Sequence, residues 1–156
     1  IMDYVSAARQ QCEEITSRAF LTQTWEAVFY CWPGQEGFVL PRPPLFSVES
    51  IKYTDTAGVV QTVGSSNYMA ITVLEPGRVV LTRNGVWPAD YIGLGYPITV
   101  RYVAGTEAAP FWAVQSVRWL VGHMYENRES VIMGTNLPQK VPFSVQWLLG
   151  PHKSWY

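Results

Sequence analysis

Residues 110–127 constrain the fold of this chain most strongly. They read Pro110-Phe111-Trp112-Ala113-Val114-Gln115-Ser116-Val117-Arg118-Trp119-Leu120-Val121-Gly122-His123-Met124-Tyr125-Glu126-Asn127. Val114, Val117, Val121 and Met124 recur at spacings of three, four and three, which lines one face of a helix with apolar side chains. Pro110 suits the first turn, where a missing N–H costs nothing. Such a stripe needs a second apolar surface to lie against. The start of the chain supplies one, because Ile1, Val5, Ala8, Cys12, Ile15 and Ala19 keep helical spacing. That pattern predicts a helix over residues 2–18, with Arg9, Gln10, Glu13, Glu14 and Arg18 on its polar side. No capping residue precedes Ile1, so residues upstream of it are expected. Val5, Cys12 and Ile15 on the first helix and Val114, Val117, Val121 and Met124 on the second are the expected frame.

Between the helices the period changes to two. Thr22 to Phe29 alternates and predicts a strand ending near Cys31-Trp32-Pro33-Gly34. Phe38-Val39-Leu40 predicts a short second strand, stopped by Pro41-Arg42-Pro43-Pro44, whose prolines cannot donate to a ladder. Val48–Thr54 and Val59–Thr62 flank an Asp55-Thr56-Ala57-Gly58 turn, a predicted hairpin. Tyr68–Leu74 and Arg78–Thr82 flank Glu75-Pro76-Gly77, a second hairpin, and Arg83-Asn84-Gly85 is a further turn. Pro97–Val103 is the last predicted strand, ended by Ala104-Gly105. Gly134 to Pro142 reads as a loop and Pro142 opens a short third helix with Val145, Leu148 and Leu149 inward, stopped by Gly150-Pro151. The expectation is one α+β domain over 1–156: helix 2–18, an antiparallel β insertion over 22–103 (a small sandwich or barrel), helices 110–127 and 142–149, and a patternless tail over 150–156.

Composition narrows the function. Charged residues are only 15% of the chain, while seven Trp, nine Tyr and six Phe give more adhesive surface than a free monomer shows. Those aromatics serve either a β core or the centre of a protein interface. Net charge is −1 and the cations form no run, which argues against strong phosphate tracking. No apolar stretch is long enough to span a membrane, and no signal peptide is visible. Cys12 and Cys31 form no CxxC, and Cys12, on the apolar helix side, is expected to be a reduced, buried thiol.

Catalytic patterns are weak. His123 and Glu126 could share a metal, but no second ligand cluster stands out. His152 has no visible nucleophile or base, and no Gly-x-Ser-x-Gly occurs. Gly93-Leu94-Gly95 lacks a third glycine and a following helix, so a dinucleotide loop is rejected. The adjacent acids Glu13 and Glu14 read as an exposed helix face rather than a glycosidase pair. Trp25, Tyr30, Trp32, Tyr53, Tyr68 and Trp87 could form stacking platforms for bases or sugars, although Lys52, Arg78, Arg83 and Arg101 hardly make a basic groove.

Several segments also occur in a family-like order. Ser17-Arg18-Ala19-Phe20-Leu21-Thr22-Gln23-Thr24-Trp25 marks the first helix-to-strand joint. Leu40-Pro41-Arg42-Pro43-Pro44-Leu45 follows, continued by Ser47-Val48, Ile51, Tyr53, Asp55 and Gly58. Then come Trp87-Pro88, Ile98 to Gly105, Val121 to Glu129, Leu137-Pro138, and finally Val145, Leu148, Leu149 and Pro151. In order and spacing these segments resemble the head–tail connector (adaptor, or head-completion) proteins of tailed bacteriophages and gene transfer agents. That family usually carries a further helical segment before the position matching Ile1.

The resemblance implies a structural virion protein at the head–tail interface, synthesised into the host cytoplasm, with no enzymatic activity and no cofactor or metal. It implies a homo-oligomeric ring, commonly of twelve copies, that docks on the portal protein, extends the DNA channel and meets a stopper or tail-completion protein. DNA would pass through the lumen without sequence recognition, and no membrane is involved. A stopper or tail-completion role, or an aromatic single-strand nucleic-acid or sugar-binding module, is the alternative. The aromatic tail directly after a helix stop makes Trp147, Lys153, Trp155 and Tyr156 the expected contacts to the portal or a neighbouring subunit.

Overall fold

The alternation of residues 23–29 and 98–104 sets the central sheet. In the computed structural model, which describes residues 2–34, 36–95, 97–126 and 142–155, β1 (Gln23–Phe29) pairs antiparallel with β7 (Ile98–Ala104). The register places Trp25 opposite Tyr102, Ala27 opposite Val100 and Phe29 opposite Ile98 on the inner face. β7 also pairs with β3 (Leu45–Thr54), and β4 (Val60–Thr62) completes a four-stranded sheet in the order β1-β7-β3-β4. β2 (Phe38–Val39), β6 (Arg78–Leu81) and β5 (Tyr68–Ile71) form a second, three-stranded sheet in the order β2-β6-β5. Phe38, Leu40 and Val79 join Ile51, Ile98, Val100 and Tyr102 in one core, so the two sheets share a hydrophobic interior. The sheets stay open at their edges and do not close into a barrel.

Both predicted hairpins are present, with different lengths. β3 begins at Leu45 rather than Val48, because bulges between Leu45 and Ser47 and between Val48 and Ser50 keep its pairing with β7 going. The second bulge turns Glu49 outward, and Arg101 donates to Glu49 at 2.7 Å and to Glu26 at 3.2 Å, tying β3, β7 and β1 together on the solvent face. β5 ends at Ile71 rather than Leu74, beyond which Val73 and Leu74 are exposed.

Three helices stand against this block: α1 (Met2–Thr16), α2 (Phe111–Glu126) and α3 (Phe143–Leu149). Ala8, Cys12, Phe20, Ala113, Leu120, Val145 and Leu149 form their shared core. The fold is thus α+β, with a helical core drawn from the two ends of the described chain and an antiparallel β block inserted between them in sequence. The α2 stripe lies a little to one side of the predicted one. Ala113, Ser116 and Leu120 are buried, Val117, Val121 and Met124 are partly buried on the flank of the core, and Val114 is half-exposed. Small Ala113 and Ser116 let the neighbouring helices approach where larger side chains could not, and the Ser116 hydroxyl returns to the Trp112 carbonyl at 2.8 Å. On α1, Cys12 is fully buried, Ile15 partly so, and Val5 remains 40% exposed. Burial pushes the Cys12 thiol up to about 11.

The first helix stops two residues before the predicted end. Ser17 takes a positive φ of 54°, and the Arg18 N–H closes back on the Glu13 carbonyl, which ends α1 at Thr16. Glu13 is the main departure from the sequence reading, which put it on an exposed face. It is 6% exposed, and its Oε1 accepts the Phe20 N–H at 2.8 Å and the Gln23 amide at 2.7 Å. A carboxylate there satisfies backbone that the helix-to-strand turn would otherwise leave buried and unpaired. Glu14, one residue on, is exposed, and its carboxylate accepts the neighbouring Gln10 amide at 3.2 Å. The same turn is closed from the far side by Gly105, whose φ is +105° and whose missing Cβ would stand 2.1 Å from the Leu21 carbonyl oxygen.

Glu13→Ala is therefore expected to lower unfolding stability by about 2–4 kcal/mol, through the unpaired Phe20 and Gln23 donors. Glu14→Ala should stay within about 0.5 kcal/mol of the parent. Urea titrations of the two variants measure the difference.

Candidate assembly surfaces

Most aromatic residues are used inside the fold. Trp32 stacks on Trp87 at 5.0 Å and 7°, and meets Tyr53 and Tyr91 edge-on at 5.6 and 6.0 Å. Phe29 and Phe38 complete this cluster. Of the six platforms considered for bases or sugars, Tyr53 and Trp87 thus both contact Trp32, Trp25 and Tyr68 pack on the core, and Tyr30 is 55% exposed. Arg42 sits 4.8 Å from the Trp25 ring. A stacking track for a strand is not what these rings form.

Four of the surfaces among the described residues carry apolar side chains close together. A groove of about 440 Å³ runs between α1 and α2, lined by Val5, Phe20, Leu21, Val114, Val117 and Val121, with Arg9 and Arg118 at its rim. On α3, Phe143 and Trp147 are 81% and 72% exposed. They are four residues apart and so share one helix face. At the far end of the β block, Val59 and Val60 of the β3–β4 hairpin are exposed beside the 90–94 segment, where Ile92 and Leu94 are exposed too. That end is held by Ile92 donating to the Thr54 carbonyl and Thr56 donating to the Asp90 carbonyl. The fourth place is the tail, where Trp155 is 78% exposed beside Val39, Pro41, Pro76 and Arg78.

The tail is less free than its sequence suggests. Gly150–His152 continues α3 by one 3₁₀ turn instead of stopping it. His152 stacks on Trp112 at 4.0 Å and 5°, its carbonyl accepts Arg18 Nε at 2.6 Å, and the Ser154 N–H donates to the Thr16 carbonyl. Arg18, expected on a polar face, is the centre of this arrangement, since its guanidinium also pairs with Glu75 in the β5–β6 turn. That bond holds the Glu75 carboxyl below its usual range. The side chains of Lys153 and Trp155 point outward on either side of the tethered Ser154, with Lys153 Nζ 4.3 Å over the Trp155 ring. Tyr156 lies outside the described residues, as does most of the predicted 134–142 loop. Deleting the tail would therefore remove fold contacts along with Trp155.

His123 and Glu126 line a shallow depression with Arg118, Trp119, Pro142 and Ser144. Among the described residues no group of three His, Cys, Asp or Glu side chains is placed to hold a metal, and no helix is long and apolar enough to cross a membrane.

This chain shares its fold with neck proteins of gene transfer agents. Over 99% of its length it superposes on a chain from the neck of a native gene transfer agent particle computed with C12 symmetry, with a TM-score of 0.76, 20% identity and 81% of that chain covered. The neck of an empty particle computed with C6 symmetry and the virion of a native particle each give a TM-score of 0.74 over 99% of this chain and 76% of theirs, at 20% and 21% identity. No protein-family model matches the sequence, and no curated protein matches it.

The hairpin end carries a pH dependence of known sign. Asp55 is held below its ordinary value of 3.8 by the Gln61 amide and by the Val59 and Ala57 N–H groups. A lowered folded pKa gives stability that is present above the ordinary value and lost as pH falls through the folded one. Asp55→Asn is expected to flatten the loss of stability between about pH 5 and pH 2. Denaturant midpoints of the two proteins across that range provide the check.

Proposed function

We propose that this chain is a structural subunit of the neck of a tailed phage or phage-like particle: an adaptor whose copies form a ring on the portal, extend the DNA channel and present a platform to the next neck protein. The observation that carries this reading is the likeness of fold over 99% of the chain to neck proteins of gene transfer agents. The C12 and C6 symmetry of those necks supports a ring, and the resemblance in sequence order supports the adaptor position within it.

The distribution of apolar surface fits the role. A ring in the middle of a stack needs lateral contacts to its neighbours and axial contacts at two ends. The groove and the α3 face are suited to the lateral contacts. The hairpin end and the Trp155 surface are suited to the axial ones. Trp147, Lys153 and Trp155 are the described side chains assigned to partner contact, together with Tyr156. On the solvent face of the four-stranded sheet Arg101 pairs with Glu26 and Glu49, so this cation is engaged by carboxylates rather than offered to phosphate. DNA would pass without being read, and the chain would carry out no covalent chemistry.

Deleting the gene for this chain from its parent genome is expected to give DNA-filled heads without tails, with tails free in the lysate. Normal tailed particles in the deletion strain, seen by negative-stain microscopy, would overturn the reading.

A further inference from the structure

We propose that β4 of one copy of this chain pairs with β1 of the next, so that the four-stranded sheet runs on from subunit to subunit. The proposal rests on the ring reading above and names the two edges that close the ring.

The order β1-β7-β3-β4 leaves β1 and β4 as the two edges of one sheet. The ladder hydrogen bonds fix which backbone groups turn outward. The Thr54 N–H donates to the Pro97 carbonyl, and successive residues of a strand bond to opposite sides, so Ile98, Val100, Tyr102 and Ala104 turn towards β1. Their partners Phe29, Ala27, Trp25 and Gln23 are thereby bonded, and the N–H and C=O groups of Thr24, Glu26 and Val28 point away from the sheet. On β4 the Val63 N–H donates to the Ile51 carbonyl, which by the same alternation turns Val60 and Thr62 outward. None of these outward-facing residues has another backbone hydrogen bond among the described residues. β1 also pairs with β7 without a bulge and carries no proline or lysine, devices that ordinarily keep an edge from pairing.

Strand direction and side chains both select a second copy. Each neighbouring pair in the sheet is antiparallel, so β1 and β4 run in opposite directions. Rotation about an axis along the strands preserves direction, so β4 meets the next copy's β1 antiparallel with the same face outward. Two different edges of one sheet make the head-to-tail contact that a closed ring needs, and the hairpin end stays axial. Val28 and Val60 are 56% and 63% exposed on the solvent face of their edges. Setting Val60 opposite Val28 of the next copy covers both and brings Thr62 opposite its Glu26. Lys52 lies across from Thr62 on the same face, exposed and without an ion pair among the described residues. It then stands two strand spacings, about 10 Å, from that Glu26, within reach of a lysine side chain. Glu26 and Glu49 share one guanidinium, Arg101, so the β1 edge carries a carboxylate charge in excess for Lys52 to meet. A two-fold contact between β1 edges centred on Glu26 would set it against itself, and like charges directly opposite destabilise.

Hydrogen exchange and cross-linking in assembled particles test it. The control is the parent chain's presence in the particle: its absence would instead remove the ring reading itself. Amides in peptides spanning 23–29 and 59–63 should both exchange about tenfold or more slowly in particles than in the purified monomer. Unchanged exchange at either edge overturns the proposal, and protection of the β1 edge alone assigns that edge to another protein's strand. On a Cys31→Ser background, Val28→Cys/Val60→Cys is carried into particles and treated with a short bis-maleimide. The double variant should give a ladder of covalent multimers on a denaturing gel, and each single-cysteine variant should stay monomeric. Dimers from Val28→Cys alone would mean a two-fold contact and overturn the proposal, as would a double variant present in particles without a ladder. Circular dichroism of the purified variants checks folding, and the exchange measurement decides on the parent chain where a variant is not incorporated.

Discussion

One buried carboxylate fixes how the helices meet the sheet. Glu13 sits in the last turn of α1 and accepts both the Phe20 N–H and the Gln23 amide, so the chain leaves the helix and enters β1 along a single path. Everything downstream inherits that path. Leu21 then runs beside Thr106, the Thr106 hydroxyl bonds the Phe20 carbonyl, and Gly105 allows the two backbones to touch. The strand that enters here and the strand that leaves here are neighbours, β1 and β7. The helical core and the β core are therefore joined at a crossing whose polar groups are satisfied, as a buried junction requires. Arg18 repeats the device on the outside, linking the end of α1 to the β5–β6 turn and to the C-terminal tail.

A joint of this kind matters for a part that holds its neighbours in register. Helical surfaces and sheet surfaces that moved independently could not present lateral and axial contacts at fixed angles. The α2 helix packs against both other helices, forming a groove with α1 and a shared core with α3. The aromatic cluster around Trp32 and Trp87 gives the hairpin end a firm base, while the apolar side chains at its surface remain available. Low charge, an Arg101 already engaged by Glu26 and Glu49, and an apolar groove suit protein contact better than phosphate.

Much of the fold is legible from residue periodicity. The alternation at 23–29 and 98–104 and the turn residues at 55–58 and 75–77 lead to the observed strands, and the helical spacings to the observed helices. What periodicity misses is long-range polar pairing. Glu13 looks like any exposed helix acid beside Glu14, because its partners Phe20 and Gln23 become visible only once the chain has turned. Arg18 is misread for the same reason, and so is the tail, whose order comes from Trp112 and Thr16 far away in sequence. The α2 stripe reads one position off because Ala113 and Ser116 are small, and a pattern search for large apolar residues passes over them. The bulges in β3 lengthen a strand that strict alternation starts too late, at Val48 rather than Leu45. The candidate surfaces were only partly visible: Trp147, Lys153 and Trp155 follow from an unpatterned aromatic end, whereas the α1–α2 groove arises from two helices that no local signal connects.

The central claim is that copies of this chain encircle the DNA exit of a particle. The most direct measurement is an electron cryo-microscopy reconstruction of the neck of the particle that encodes it. The account predicts a ring of this fold against the portal, with the lumen open for DNA. A neck in which that position is filled by another fold, with this chain absent from the particle, would contradict it.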